Sequence, residues 1–141
     1  MKIIVDTCIW LMALRRNNVK ESSYTEELIH LIDEVRVQLI GSIRQELLSG
    51  IKLKKQFDVL KQHLQAFEDV ELDAQDYELA AEYFNTARKK GIQGSNTDFL
   101  ICAISSRRKM PILTTDKDFI NFQSVFSVSL HEPRNVYGTK I

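Results

Sequence analysis

The 141-residue sequence lacks most of the features that would mark a specialised chain. Lys plus Arg and Asp plus Glu both number 19, so no net field draws the protein to nucleic acid or to an anionic membrane. Any polyanionic partner has to be gripped by a local patch. Only two cysteines are present, Cys8 and Cys102, without CxxC spacing or a nearby histidine. That excludes a disulfide framework and a patterned zinc site, and both thiols fall in apolar helical patterns, as reduced buried cysteines of a cytoplasmic protein do. Two prolines in the whole chain argue against disordered or linker segments. No stretch spans a bilayer: the longest run free of Lys, Arg, Asp and Glu, Phe119 to His131, is broken by polar residues and falls short of the ~20 required. The amino terminus imitates a signal peptide only briefly. Lys2 precedes an apolar run to Leu14, but Asp6 interrupts it, and Arg15 and Arg16 close it without a small-residue cleavage site.

What is present suits one α/β domain over residues 1–141, with a short polar tail from about Pro133. Ile3, Ile4 and Val5 form an unbroken β-branched run, the pattern of a strand covered on both faces in a parallel sheet. The run stops at Asp6, at the strand's carboxyl end, where ligands bind in open α/β sheets. Asp6 also fits the cap of the helix that follows it.

The remaining chain alternates. Ser23 with Glu26 has the spacing of a capping box opening a second helix, and Leu28, Ile29, Leu31, Ile32 and Val35 give that helix an apolar face. Val37 to Ile40 predicts a short strand ended by Gly41. Ser42 then caps a helix with Gln45 at the capping-box position, Glu46 one turn inside and Gly50 as terminator. Lys52 to Phe67 has helical spacing, Val70 and Leu72 suggest a third strand, and Asp73 starts a long helix ended by Lys89, Lys90 and Gly91. The 91–96 loop delivers Asp98 at the mouth of a helix over Phe99 to Arg108. Ile112 to Thr114 predicts a buried strand ended by Thr115 and Asp116, Phe119 and Phe122 a short helical turn, and Val125 to Leu130 a last edge strand. Such alternation predicts a doubly wound, mostly parallel sheet flanked by helices.

In a right-handed parallel sheet all strand carboxyl ends share one edge, so Asp6, Glu46, Asp98 and Asp116 are expected to converge there. Capping explains each singly and their company less well. Converging carboxylates repel and call for a cation. An all-oxygen set selects magnesium or manganese over zinc, with Asp6, Asp98 and Asp116 as ligands. His30, His63 and His131 stand apart from this pattern.

Four segments together resemble the PIN-domain nucleases, and among them the VapC type of toxin. They are Val5-Asp6-Thr7, Ser42 with Glu46-Leu47, the run from Asn96 to Ala103, and Thr114 to Phe119. The resemblance covers nearly the full length. It implies a PIN-like fold, an active site of Asp6, Glu46, Asp98 and Asp116, and Thr7, Thr114 and Asp118 as accessory positions, with Thr115 as a further polar neighbour. It further implies metal-dependent hydrolysis of RNA to 5′-phosphate and 3′-hydroxyl ends, a VapB-like antitoxin partner, and a homodimer. An Arg or Lys of that antitoxin is expected to reach Asp6, Asp98 and Asp116, with apolar anchors on Trp10 and Met12 where those side chains are exposed. Phosphate contacts are expected among Arg15, Arg16, Lys52, Lys54, Lys89 and Lys90. Arg107, Arg108 and Lys109 are assigned instead to the negative end of their helix dipole. Two alternatives stay open on sequence: a receiver-type signalling module, which needs paired acids after the first strand where only Asp6 stands, and an inactive PIN domain that binds RNA or a partner.

Overall fold

The computed structural model describes residues 1–14 and 22–134. Arg15, Arg16 and the tail after Arg134 lie outside them. The β-branched run does form the central strand, β1 (Ile3–Val5), with all three residues fully buried. Each such side chain contributes roughly 1.5–3 kcal/mol by leaving water. β1 pairs in parallel with β2 (Val37–Gln38) on one side and β3 (Ile112–Leu113) on the other, in the order β2-β1-β3. The register, Ile3 to Val37 and Ile4 to Ile112, aligns the three carboxyl ends.

Around this sheet lie α1 (Thr7–Leu14), α2 (Ser23–Asp33), α3 (Gly41–Leu48), α4 (Lys54–Leu64), α5 (Ala74–Lys89), α6 (Asn96–Arg108) and α7 (Asp118–Val125). α6 is buried continuously from Phe99 to Ser105, because it is covered by the sheet and by α5. Phe99, Phe119, Phe122 and Phe126 pack edge-on or tilted beneath its start. Gly94 lies against this cluster so closely that a Cβ there would sit 2.7 Å from the Phe122 ring and 2.9 Å from that of Phe99.

Several expectations are corrected. The strand expected at Val70 and Leu72 reduces to one bridge, Asp69 to Leu39, and that expected at Val125 to Leu130 to one bridge between Leu130 and Ile112. Val125 ends α7 instead, since Phe119, Phe122 and Phe126 recur at helical spacing and their burial outweighs the β-branched valine. The second helix is capped by Ser22 with Thr25, one residue before Ser23 and Glu26, because the threonine hydroxyl reaches back as a glutamate would. Ser42 is not the cap: the extended backbone continues to Ile40, which is the N-cap of α3, and the buried Ser42 hydroxyl has no hydrogen-bond partner among the described residues.

A buried glutamate ties the carboxyl-terminal stretch to α2. Glu27, 1% exposed, accepts from Arg134 Nε at 2.8 Å, and His131 Nε2 lies 2.6 Å from its other oxygen. The same stretch covers the outer edge of β3, since His131 N donates to Ile112 O at 2.8 Å and Ile112 N to Ser129 O at 2.9 Å. Burial pushes the Glu27 carboxyl up, but the bonds from Arg134 and His131 outweigh it and hold the group below its ordinary 4.5. A depressed carboxyl contributes stability above its unfolded pKa and loses it as pH falls through the folded value. Glu27→Gln is therefore expected to cost about 2 kcal/mol at pH 7, discounted because Arg134 is partly solvated, with the deficit shrinking below pH 4.5. Urea melts at neutral and acid pH check this, and a deficit that does not shrink in acid would show that the charge is irrelevant.

Candidate active site

Each acid arrives by a local rule. Asp6 follows β1 and opens α1: its Oδ1 accepts from Thr7 N at 2.8 Å, and its backbone carbonyl accepts from Ile9 N at 3.0 Å. Asp98 is the third residue of α6 and shares a capping box with Ser95, whose amide donates to Asp98 Oδ2 at 3.0 Å. Asp116 lies just beyond β3, and its Oδ1 accepts from Asp118 N at 3.0 Å. Glu46, exposed on α3, takes a 3.1 Å bond from the Thr7 hydroxyl. Thr114 binds the group together: it donates to Asp6 Oδ2 at 2.8 Å and accepts from Asp116 N at 3.0 Å.

The carboxylates sense one another. Burial raises the Asp6 carboxyl against the bonds from Thr114 and Thr7, and the charges of Asp98 and Asp116 raise it further. Asp98 is raised by burial and by Asp116 and Asp118. Asp6, at 7% exposure, is thus a buried acid in a like-charged group. Among the described residues no Lys or Arg forms an ion pair with Asp6, Glu46, Asp98, Asp116 or Asp118. Such a donor set, all oxygen and unneutralised, fits a hard divalent cation. No three Asp, Glu, His or Cys side chains among the described residues are drawn together tightly enough to enclose an ion. Asp6, Asp98 and Asp116 each turn an oxygen to a neighbouring backbone N–H.

The structure brings together Asp6, Asp98 and Asp116, with Asp118 beside Asp98 in electrostatic reach and Glu46 linked through Thr7. It also places a residue that the sequence did not single out. Cys8 Sγ lies 3.7 Å from Asp6 Oδ2 and 3.5 Å from the Thr114 hydroxyl, and takes a 3.3 Å bond from the Thr115 hydroxyl. It is half-buried at the site, not enclosed in the core. Ser95 was legible as the start of an Ser-x-x-Asp capping box but was not singled out either. Cys102, one helical turn after Asp98, is buried, and burial with the charges of Asp98 and Asp6 pushes its thiol up.

A family model of the PIN domain matches residues 3–124, a span holding all four acids. The chain belongs to the PIN-domain family. The receiver alternative falls with that assignment. Comparison with curated proteins by sequence finds no match. Among solved structures, the PIN domain described here is similar to VapBC2 from Rickettsia felis bound to a promoter DNA fragment, at 21% identity and TM-score 0.74 over 93% of this chain and 98% of the other. It is similar to FitAcB from Neisseria gonorrhoeae, at 19% and 0.70 over 93% and 97%. A third is VapBC-5 from Mycobacterium tuberculosis, a member of the VapBC family of toxin-antitoxin systems, at 18% and 0.66 over 92% and 96%. At these identities the likeness establishes the fold.

Next to Glu46 the PIN domain carries an apolar groove of about 850 Å³ lined by Leu11, Leu14, Leu47, Ile51 and Val59 with Lys55 at its rim. Leu11 and Leu14 are 41% and 43% exposed, whereas Trp10 is 5% exposed, with its indole N–H donating to Val5 O at 3.2 Å. Trp10 is therefore core, packed edge-on against Phe67, and offers no anchoring surface. α1 is apolar on nearly every side, so its sequence does not disclose which side faces out. Arg107 and Arg108 are likewise occupied elsewhere, both on buried Asp76. No helix of the described residues is long and apolar enough to cross a membrane.

Proposed function

We propose that this PIN domain is a metal-dependent endoribonuclease and the toxin of a toxin–antitoxin pair. One observation carries the reading: at the carboxyl edge of the sheet the charges of Asp98 and Asp116 reach the buried Asp6 carboxyl and that of Asp116 reaches Asp98, with no described cation paired to them. A binding domain without catalysis has no use for a buried, unneutralised Asp6, which costs stability. Asp6, Asp98 and Asp116 would hold Mg²⁺ or Mn²⁺, with Glu46 completing the acidic rim. When bound, the ion supplies a Lewis acid that lowers the pKa of water and neutralises charge on the phosphate oxygens. Thr114 orients Asp6, and the backbone bonds to Asp98 and Asp116 hold their carboxylates in place before substrate arrives.

The apolar groove beside Glu46 suits an antitoxin segment whose leucine-like anchors meet Leu11 and Leu14, followed by an Arg that engages the acids bidentately. The fold likeness to structures of VapBC complexes supports this partner, and the toxin itself is proposed to act as a homodimer. The test is to incubate the purified chain with RNA. Cutting is expected with Mg²⁺ or Mn²⁺, leaving 5′-phosphate ends, and none with chelator; co-expression with the neighbouring small gene should yield a complex that does not cut. Cutting that persists in excess chelator, with an Asp98→Asn preparation that does not cut ruling out a contaminating nuclease, would refute the reading.

A further inference from the structure

Five described arginines, Arg36, Arg44, Arg107, Arg108 and Arg134, each engage a carboxylate. Arg88 engages none among the described residues. It stands exposed in the last turn of α5, its guanidinium 5.9 Å from the Phe84 ring centroid, over a groove of about 340 Å³ lined by Phe84, Gly91, Gln93, Gly94 and Phe99. No carboxylate lines that groove. Its lining includes the loop whose Gln93 and Gly94 amides donate to no described residue. The next amide, Ser95 N, donates to Asp98 at 3.0 Å. Arg88 and the Gln93–Gly94 loop therefore line one groove, and that loop runs directly into Ser95, whose amide holds an acid of the candidate site.

We propose that this groove is a subsite for the backbone phosphate of an RNA nucleotide flanking the one that is cut, held by Arg88 and the Gln93 and Gly94 amides. The proposal rests on the nuclease reading above and names where that substrate's neighbouring nucleotide lies. Guanidinium forks and unpaired amides are the donors phosphate selects. Phe84 lies within cation–π range of the Arg88 guanidinium, 5.9 Å from it, and aromatic and guanidinium planes are the surfaces on which single-stranded RNA bases stack. A helical peptide, ~10 Å across, does not fit a cleft of this volume. The phosphate contacts expected on sequence at Lys89 and Lys90 are, in this account, secondary to Arg88.

The experiment measures binding of a short labelled single-stranded RNA by anisotropy in chelator, across a salt series, for wild type, Arg88→Ala and Arg88→Lys. Arg88→Ala is expected to bind about tenfold more weakly, with a log–log salt slope shallower by ~0.7, and Arg88→Lys to fall between because it keeps the charge without the fork. In cleavage with Mn²⁺, Arg88→Ala should raise KM with kcat unchanged. Wild-type affinity and slope in Arg88→Ala would overturn the subsite, as would a loss of partner-protein binding with RNA binding intact. Arg88-dependent binding by a wild-type protein that never cuts RNA would refute the nuclease reading and leave the subsite standing.

Discussion

Asp98→Asn is expected to reduce RNA cleavage by at least about a hundredfold while leaving the metal-free protein as stable as wild type or more so. The loss follows from removing one of the charges that would hold the ion, and electrostatic groups of this kind typically contribute a hundredfold or more. The stability expectation follows from the sign of the shift. Burial, with the charges of Asp116 and Asp118, raises the Asp98 carboxyl. A raised carboxyl contributes stability that is complete below its unfolded pKa and lost as pH rises through the folded value. At pH 7 the wild-type acid is therefore a liability that asparagine lacks, while the asparagine carbonyl can still accept from Ser95 N. The melting temperatures should converge as pH falls toward 3.8, the ordinary value for the group. Asp6→Asn, Asp116→Asn and Glu46→Gln should lose cleavage likewise, and Asp118→Asn less, since its contact to the cluster is through its own amide to Asp116. If Asp98→Asn melts well below wild type at pH 7, the acid is a structural cap and its assignment here is wrong.

Asp76→Asn should have the opposite profile, destabilising the fold by about 3 kcal/mol with no direct effect on the chemistry. Asp76 is fully buried in the first turn of α5. One oxygen accepts from both Arg107 and Arg108, and the other from Arg108 at 2.9 Å and from Asp73 N at 2.9 Å. The Arg108 bond, against the cost of burial, holds the carboxyl well below the usual range. Breaking a buried ion pair leaves its partners unpaired and typically costs 3–5 kcal/mol; the two guanidiniums remain about a quarter exposed, which places the expectation at the low end. Because α6 carries Asp98 at its other end, this pair also fixes the seat of the site. Urea unfolding measures it, with Asp58→Asn as a control: Asp58 and Lys54 form an exposed i,i+4 pair worth less than about 0.5 kcal/mol. A loss of under 1 kcal/mol for Asp76→Asn would contradict the account.

The sequence disclosed what depends on neighbours along the chain. Ile3-Ile4-Val5 announces a buried strand because β-branched residues pack on both faces of a parallel sheet, and an acid following such a run sits at its carboxyl edge whatever the rest does. Asp73 and Gly91 mark the ends of α5 by capping chemistry alone. The misplacements have tertiary causes. Ser42 matches a capping pattern, but β2 and the bridge to Asp69 hold the backbone extended through Ile40, so the helix begins before a side-chain cap can act. Arg107 and Arg108 looked like dipole complements because Asp76, more than thirty residues earlier, is invisible to local reading. Cys8 joins the site only because Thr114 and Thr115 follow directly on β3, the strand beside β1.

Manganese binding to the purified protein, followed by electron paramagnetic resonance as free Mn²⁺ is depleted, tests the central claim most directly. The account predicts that wild type removes Mn²⁺ from solution at neutral pH and that Asp98→Asn, at equal concentration and equally folded, removes at least tenfold less. Equal depletion by the two proteins would contradict it, because the ion would then be held somewhere other than by the acids at the carboxyl edge of the sheet.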